Sequence, residues 1–127
     1  LGHFLHAKGL IAQMGPAPSV ELADQAERLL KKSISLNPTF WESEFELGVL
    51  LEGKKDFSAA ARHLERAIQL SPKTPAPHYR LARVYDRLGK TEAAQAERVQ
   101  HEKLTAEEWT AIERHAAGLK RLELVVK

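Results

Sequence analysis

The chain contains no cysteine, and this absence excludes disulfides, thiol catalysis, iron–sulfur clusters and cysteine-ligated zinc. Aromatic residues are few, at 6%, and no apolar run approaches the roughly 18–20 residues that a membrane-spanning helix needs. The sequence also has no Walker loop, no glycine-rich dinucleotide turn and no Gly-x-Ser-x-Gly elbow. We therefore expect a protein that is not an enzyme and that has no cofactor.

The bulk composition is that of one folded domain. Of 127 residues, 43% are hydrophobic and 28% are charged, so the chain has enough apolar material for a core. Basic and acidic residues nearly balance, at 19 to 17, which gives no reason to expect nucleic acid as a partner. The net charge is −1 over residues 1–72 and +3 over residues 73–127, so the second half weakly favours an acidic partner.

The localisation is open at this stage. The composition favours a soluble protein, with the cytoplasm slightly preferred. The chain begins with Leu1 rather than Met, so we interpret it as a fragment whose targeting segment could lie outside the sequence.

Residues of similar character recur 34 positions apart along the chain. Asn37-Pro38 and Ser71-Pro72 have this separation, and each precedes a helical pattern. The same period relates four more pairs: Leu47 and Leu81, Gly48 and Ala82, Leu51 and Tyr85, and Ala60 and Ala94. Several matches in one register indicate an internal repeat.

Each repeat is predicted to be a helix, a turn and a second helix. Apolar residues at helical spacing predict helices over about 40–52 and 57–70, then 76–88 and 91–103. Pro72 and Gly89 are typical helix-ending residues. An earlier, imperfect unit has predicted helices over about 3–14 and 20–36, separated by an enlarged turn at 15–19.

A further helix is predicted after the repeats. Thr105 and Glu108 form a capping-box pattern, which is typical of a helix start. One apolar stripe follows: Trp109, Ile112, Ala116, Leu119 and Leu122. Since a repeat array must cover the apolar face of its last unit, we expect residues 105–127 to form a capping helix, with Trp109 in its core.

These residues resemble the tetratricopeptide repeat. The first full unit has Leu47-Gly48, Leu51, Ala60, Leu64, Ala67 and Pro72, and the next has Leu81-Ala82, Tyr85, Gly89 and Ala94. The sequence departs from the family pattern at Glu44, Arg98 and His101. The resemblance implies an all-α superhelix, a solenoid of antiparallel helix pairs. It divides the single domain into units 1–38, 39–72 and 73–106, followed by the capping helix.

The resemblance also implies a binding function. Members of the family usually bind a peptide or partner protein in a concave groove lined by the first helices. Carried over by position, the partner-binding residues of this groove are Phe45, Glu46, Val49, Glu52, Tyr79, Arg80, Arg83 and Arg87. The lysine and asparagine set of the carboxylate-clamping members is absent.

The arginines of the groove have two interpretations. Arg80, Arg83 and Arg87 share one helix face and could grip a carboxylate or phosphate in bidentate fashion. Alternatively, they form a solvated, salt-bridged face with the interspersed Asp86, and Glu46 simply pairs with Arg80.

Two other functions stay open. One is a structural or self-assembly module that associates as a homo-oligomer through the exposed array ends or the C-terminal helix. The other is a regulatory appendage of a larger enzyme. The six histidines do not favour a metal site, because even the closest pair, His3 and His6, has no third ligand nearby in the sequence, so each is interpreted as a surface residue.

Overall fold

The computed structural model describes residues 1–14 and 20–126, and over these ranges it contains helices and no strands. The predicted all-α class and helix-pair solenoid are confirmed. The enlarged turn predicted at 15–19 lies outside the described residues, as do the side chains of Met14 and of residues 122–126. The helices are α1 Gly2–Met14, α2 Val20–Leu36, α3 Trp41–Gly53, α4 Phe57–Leu70, α5 Pro75–Arg87 and α6 Thr91–Val126.

The ends of the helices follow from local sequence. Asp56 caps α4, because its Oδ1 accepts a hydrogen bond from the backbone N–H of Ala59 at 3.3 Å. Pro75 occupies the first position of α5, where its missing N–H costs nothing. Gly89 follows α5 with a φ of 75°, a left-handed conformation that glycine adopts without strain. These signals set the short turns that make successive helices antiparallel.

The core lies between the helices of each pair and between neighbouring pairs. Helix α1 packs on α2, α3 on α4 and α5 on α6, while α2–α3 and α4–α5 contacts join the pairs. Small and large apolar residues alternate at these contacts, so that the helices approach closely and leave little empty space. Fully buried members include Ala7, Ala26, Leu30, Leu47, Ala60, Leu64 and Val84.

The crossing of α3 and α4 depends on Gly48. A β-carbon at this position would lie 2.7 Å from Cγ of Leu64 and 3.3 Å from the carbonyl oxygen of Ala60. Both distances are shorter than ordinary van der Waals contact, so the two helices can approach this closely only because residue 48 has no side chain. The small residue predicted at this crossing is therefore present for a steric reason.

Two histidines lie between helices rather than on the surface. His78 is 6% exposed, and its Nδ1 lies 2.6 Å from a carboxylate oxygen of Glu97. His63 is half-buried, with its Nδ1 2.8 Å from a carboxylate oxygen of Glu44. The interpretation of these two histidines as scattered surface residues was wrong, because each has a carboxylate partner on the other helix of its pair.

The C-terminal region also differs from the prediction. Helix α6 runs without interruption from Thr91 to Val126, so Thr105 does not begin a new helix. The segment around Thr105 contains neither glycine nor proline, and its residues fit a helix interior as well as a helix start. Leu104, at 7%, is the last buried residue in the described part of α6, and Trp109 is 62% exposed. The described residues after Leu104 therefore do not cap the array, and Trp109 is not a core residue.

Candidate functional site

A cavity of about 420 Å³ opens between the first helices of the two full repeat units, α3 and α5. Residues from α3 form one wall, residues from α5 form the other, and the turn before α4 closes one end. We call this cavity the α3–α5 groove. Its lining residues are Val49, Glu52, Gly53, Lys55, Phe57, Arg80, Arg83 and Arg87.

Glu52 lies between two arginines of the groove lining. One of its carboxylate oxygens lies 3.6 Å from Nη1 of Arg80, and the other lies 3.6 Å from Nε of Arg83. The Glu52 side chain is only 11% exposed, and its Oε1 is buried without a hydrogen-bond partner among the described residues. The carboxylate therefore attracts both guanidinium groups electrostatically, at distances longer than those of a hydrogen bond.

Aromatic rings pack against two of the groove arginines. The guanidinium carbon of Arg87 lies 5.9 Å from the centre of the Phe57 ring, and that of Arg83 lies 6.0 Å from the centre of the Tyr79 ring. Tyr79 in turn contacts the ring of His101 on α6, at 5.4 Å between centroids. Cation–π contacts of this kind restrict where a flexible arginine can point.

Asp86 does not neutralise this arginine cluster. Its two carboxylate oxygens accept hydrogen bonds from Arg98 of α6, at 2.8 and 3.2 Å. The groove lining therefore contains four basic side chains and the single carboxylate of Glu52. The result is a positively charged groove with a partly apolar wall.

The remaining predicted residues lie outside the groove lining. Phe45 packs against the ring of Trp41, at 5.9 Å between centroids. Glu46 pairs with Lys8 of α1 at 3.9 Å, and burial raises its pKa despite the nearby charges of Lys8 and Arg80. Lys8–Glu46 thus joins the first helices α1 and α3, just as the ion pairs of Glu52 join α3 and α5.

The structure brings together five of the eight predicted residues and adds three that the sequence analysis missed. Val49, Glu52, Arg80, Arg83 and Arg87 line the groove, whereas Phe45, Glu46 and Tyr79 do not. Gly53, Lys55 and Phe57 were missed because the prediction used residues inside the first helices, whereas Gly53 is the last residue of α3, Lys55 lies in the turn and Phe57 begins α4. Lys55 has a positive φ of 65°, and no sequence signal marks a lysine for that conformation.

Comparison with solved structures identifies the fold. A crystal structure of MamA superimposes with a TM-score of 0.76 over 85% of this chain and 59% of its own length, at 13% identity. Another MamA structure, from AMB-1, is 28% identical over 69% of this chain and 52% of its own length, with a TM-score of 0.64. The CopN–Scc3 complex gives a TM-score of 0.71 at 17% identity, covering 80% of this chain and 56% of the matched chain. The chain thus spans little more than half the length of these structures.

The architecture defines an α-solenoid of antiparallel helix pairs. Residues 51–97 match the tetratricopeptide repeat family, so the resemblance inferred from the sequence is confirmed. A search of curated proteins found no match. None of the described helices is both long and apolar enough to cross a membrane.

Proposed function

We propose that the protein is an interaction module that binds an extended peptide, or an exposed segment of a partner protein, in the α3–α5 groove. The observation that carries this proposal is the lining of the groove. Four basic side chains surround one carboxylate in an open cavity of about 420 Å³. Clefts that combine an apolar wall with a few convergent polar groups are the usual form of binding sites.

The chemistry of the groove favours a partner with acidic groups. Because the facing nitrogens of Arg80 and Arg83 lie 3.6 Å from Glu52, neither guanidinium group donates a hydrogen bond to that carboxylate. The other N–H groups of these guanidinium groups can donate to a carboxylate or phosphate of the partner in bidentate geometry. Val49 and Phe57 provide an apolar surface beside the arginines, so an acidic residue adjacent to an apolar residue fits best.

One structurally similar protein supports binding in general terms. CopN–Scc3 was solved as a complex, so that structure with a similar helix arrangement includes a bound protein. At 17% identity this likeness supports the use of the fold for binding and carries no information about the partner.

Binding can be tested with labelled peptides of about 10 residues in which Asp or Glu neighbours Leu or Phe. Fluorescence anisotropy should show saturable binding that weakens with added salt, because charges at the groove are screened within about 10 Å at 0.1 M. Peptides with Asn and Gln in place of Asp and Glu should bind at least ~10-fold more weakly, because charge-assisted hydrogen bonds contribute about 1.5–3 kcal/mol.

Variants locate the binding surface. Arg83→Glu should weaken peptide binding at least ~10-fold, because it replaces a cation of the groove with an anion. Tyr79→Ala should weaken it less, since Tyr79 only supports Arg83. Arg62→Glu is the matched control, because Arg62 is an exposed arginine of α4 outside the groove lining. Equal affinity of Arg83→Glu and the unmodified protein would show that the peptide binds elsewhere.

A further inference from the structure

The part of α6 beyond Leu104 carries an apolar stripe that the described residues leave uncovered. Trp109, Ile112 and Leu119 are 62%, 58% and 52% exposed, and Ala116 between them is also exposed. An open cavity of about 490 Å³ runs beside the start of this stripe, where Trp109 and Ile112 contribute to its lining. Three large apolar side chains on one exposed helix face are typical of an interaction surface.

The spacing of the stripe is that of a helix–helix seam. Trp109, Ile112, Ala116 and Leu119 follow one another at intervals of three, four and three residues. This is the a and d pattern of a coiled coil, in which each apolar residue packs between residues of a second helix. The exposed segment therefore has the pattern expected of a helix that packs along another helix over about three turns.

The sizes of these residues suit a second copy of the same helix running in the opposite direction. Such a pair places Trp109 opposite Leu119 of the second copy, and Ile112 opposite the small Ala116. A parallel pair would instead place Trp109 opposite Trp109 and Ala116 opposite Ala116. That arrangement crowds one layer and leaves a gap in another, and both faults destabilise packing.

The charges of the segment favour the same arrangement. Glu108 and Glu113 lie beside the first part of the stripe, and Lys120 lies beside its end. Two antiparallel copies bring the acidic part of each helix near the basic part of the other, whereas two parallel copies align like charges. Glu113 and Lys120 also flank the stripe on one side, at the positions that set the orientation of paired helices.

We infer that α6 is a self-association surface through which two copies of this chain pair in antiparallel orientation. The pairing is made by Trp109, Ile112, Ala116 and Leu119 of both copies, and it uses no residue of the α3–α5 groove. The proposals of self-association and of peptide binding can therefore be tested independently of each other.

Sedimentation velocity over a range of protein concentrations tests the pairing directly. The unmodified protein should show a reversible monomer–dimer equilibrium. Ile112→Glu should raise the dissociation constant at least ~10-fold, because it puts two buried carboxylates into the seam. Its circular dichroism should be unchanged at low concentration, because residue 112 is exposed in the monomer. A protein that is monomeric at every concentration, or an Ile112→Glu variant that dimerises normally, would overturn the inference.

The orientation can be tested by exchanging charges. Glu113→Lys and Lys120→Glu should each weaken self-association, because each surrounds the seam with like charges. An equimolar mixture should associate at least as well as the unmodified protein, since every lysine then lies near a glutamate. Glu107→Lys and Arg121→Glu are the matched controls, because these residues lie on the side of α6 away from the stripe, and each should change the dissociation constant less than ~3-fold. A mixture that associates no better than its components would exclude the antiparallel pair.

Discussion

Glu44 and His63 form a pair between two helices, and the next repeat unit contains the same pair with the residues exchanged. The carboxylate of Glu44 on α3 lies 2.8 Å from Nδ1 of His63 on α4. Thirty-four residues later, His78 on α5 lies 2.6 Å from the carboxylate of Glu97 on α6. His78 has a second bond, because its Nε2 donates to the carbonyl oxygen of Pro72 at 3.2 Å. The space between the helices therefore accepts either order of the two side chains.

The exchange can be reproduced within one unit. His63→Ala should lower the free energy of unfolding by about 1–3 kcal/mol, because it leaves the Glu44 carboxylate buried without its partner. The double variant Glu44→His with His63→Glu should recover most of that loss, since it copies the order found in the next unit. Urea denaturation measures both values, with Arg66→Ala on the exposed side of α4 as the control. A double variant no more stable than His63→Ala would contradict the equivalence of the two pairs.

Gly48 provides a test of the helix crossing. Gly48→Ala places a β-carbon 2.7 Å from Leu64, so we expect a loss of about 1–3 kcal/mol from overpacking, and a larger loss for Gly48→Val. Gly53→Ala, in the same helix, is the matched control because a β-carbon there meets no atom within 4 Å. Thermal melts followed by circular dichroism compare the two glycines. Equal melting temperatures for Gly48→Ala and Gly53→Ala would show that α3 and α4 do not cross as described.

Glu27 links stability to pH through an ion-pair cluster. Hydrogen bonds from Lys31 and then Lys54 lower the pKa of Glu27 below its ordinary value. A lowered carboxyl pKa means that the contribution to stability is present above the ordinary pKa and is lost as the pH falls through the lowered value. Glu27→Gln should therefore destabilise the protein at pH 7 more than at pH 3, as measured by urea denaturation.

The size of this effect should depend on salt. The lysines are partly exposed, and surface ion pairs contribute little and are screened. About 0.5 M NaCl should reduce the difference between Glu27→Gln and the unmodified protein at pH 7. Glu102→Gln on α6 serves as the control, because Glu102 is an exposed carboxylate outside this cluster. A salt-independent difference would mean that Glu27 acts through packing instead of charge.

The helices of the repeats could be predicted because local signals and long-range packing agree there. The predicted helix over 57–70 coincides with Phe57–Leu70, where Asp56 provides a cap and Pro72 prevents continuation. Gly48 could be assigned to a close crossing because a small residue recurs 34 positions later, as Ala82. Within the groove, Arg80, Arg83 and Arg87 could be grouped because their spacing places them on one helix face.

The remaining features could not be predicted from a local sequence pattern alone. The Thr105 capping pattern is compatible with both a helix start and a helix interior, and only the absence of a breaker before it distinguishes the two. The partners of His63 and His78 lie 19 residues away on another helix, so no local pattern reveals them. The same is true of Asp86, which was expected near the groove arginines and instead bonds Arg98.

The unbroken course of α6 has a practical consequence for engineering. Because α6 is one helix from the buried Ala94 to Val126, its far end has a fixed direction relative to the repeats. A helix advances ~1.5 Å and rotates ~100° per residue, so each residue added or removed after Leu104 would turn a fused helical domain by a known angle. The protein could thus serve as a rigid adaptor in which the number of residues after Leu104 sets the orientation of the fused domain.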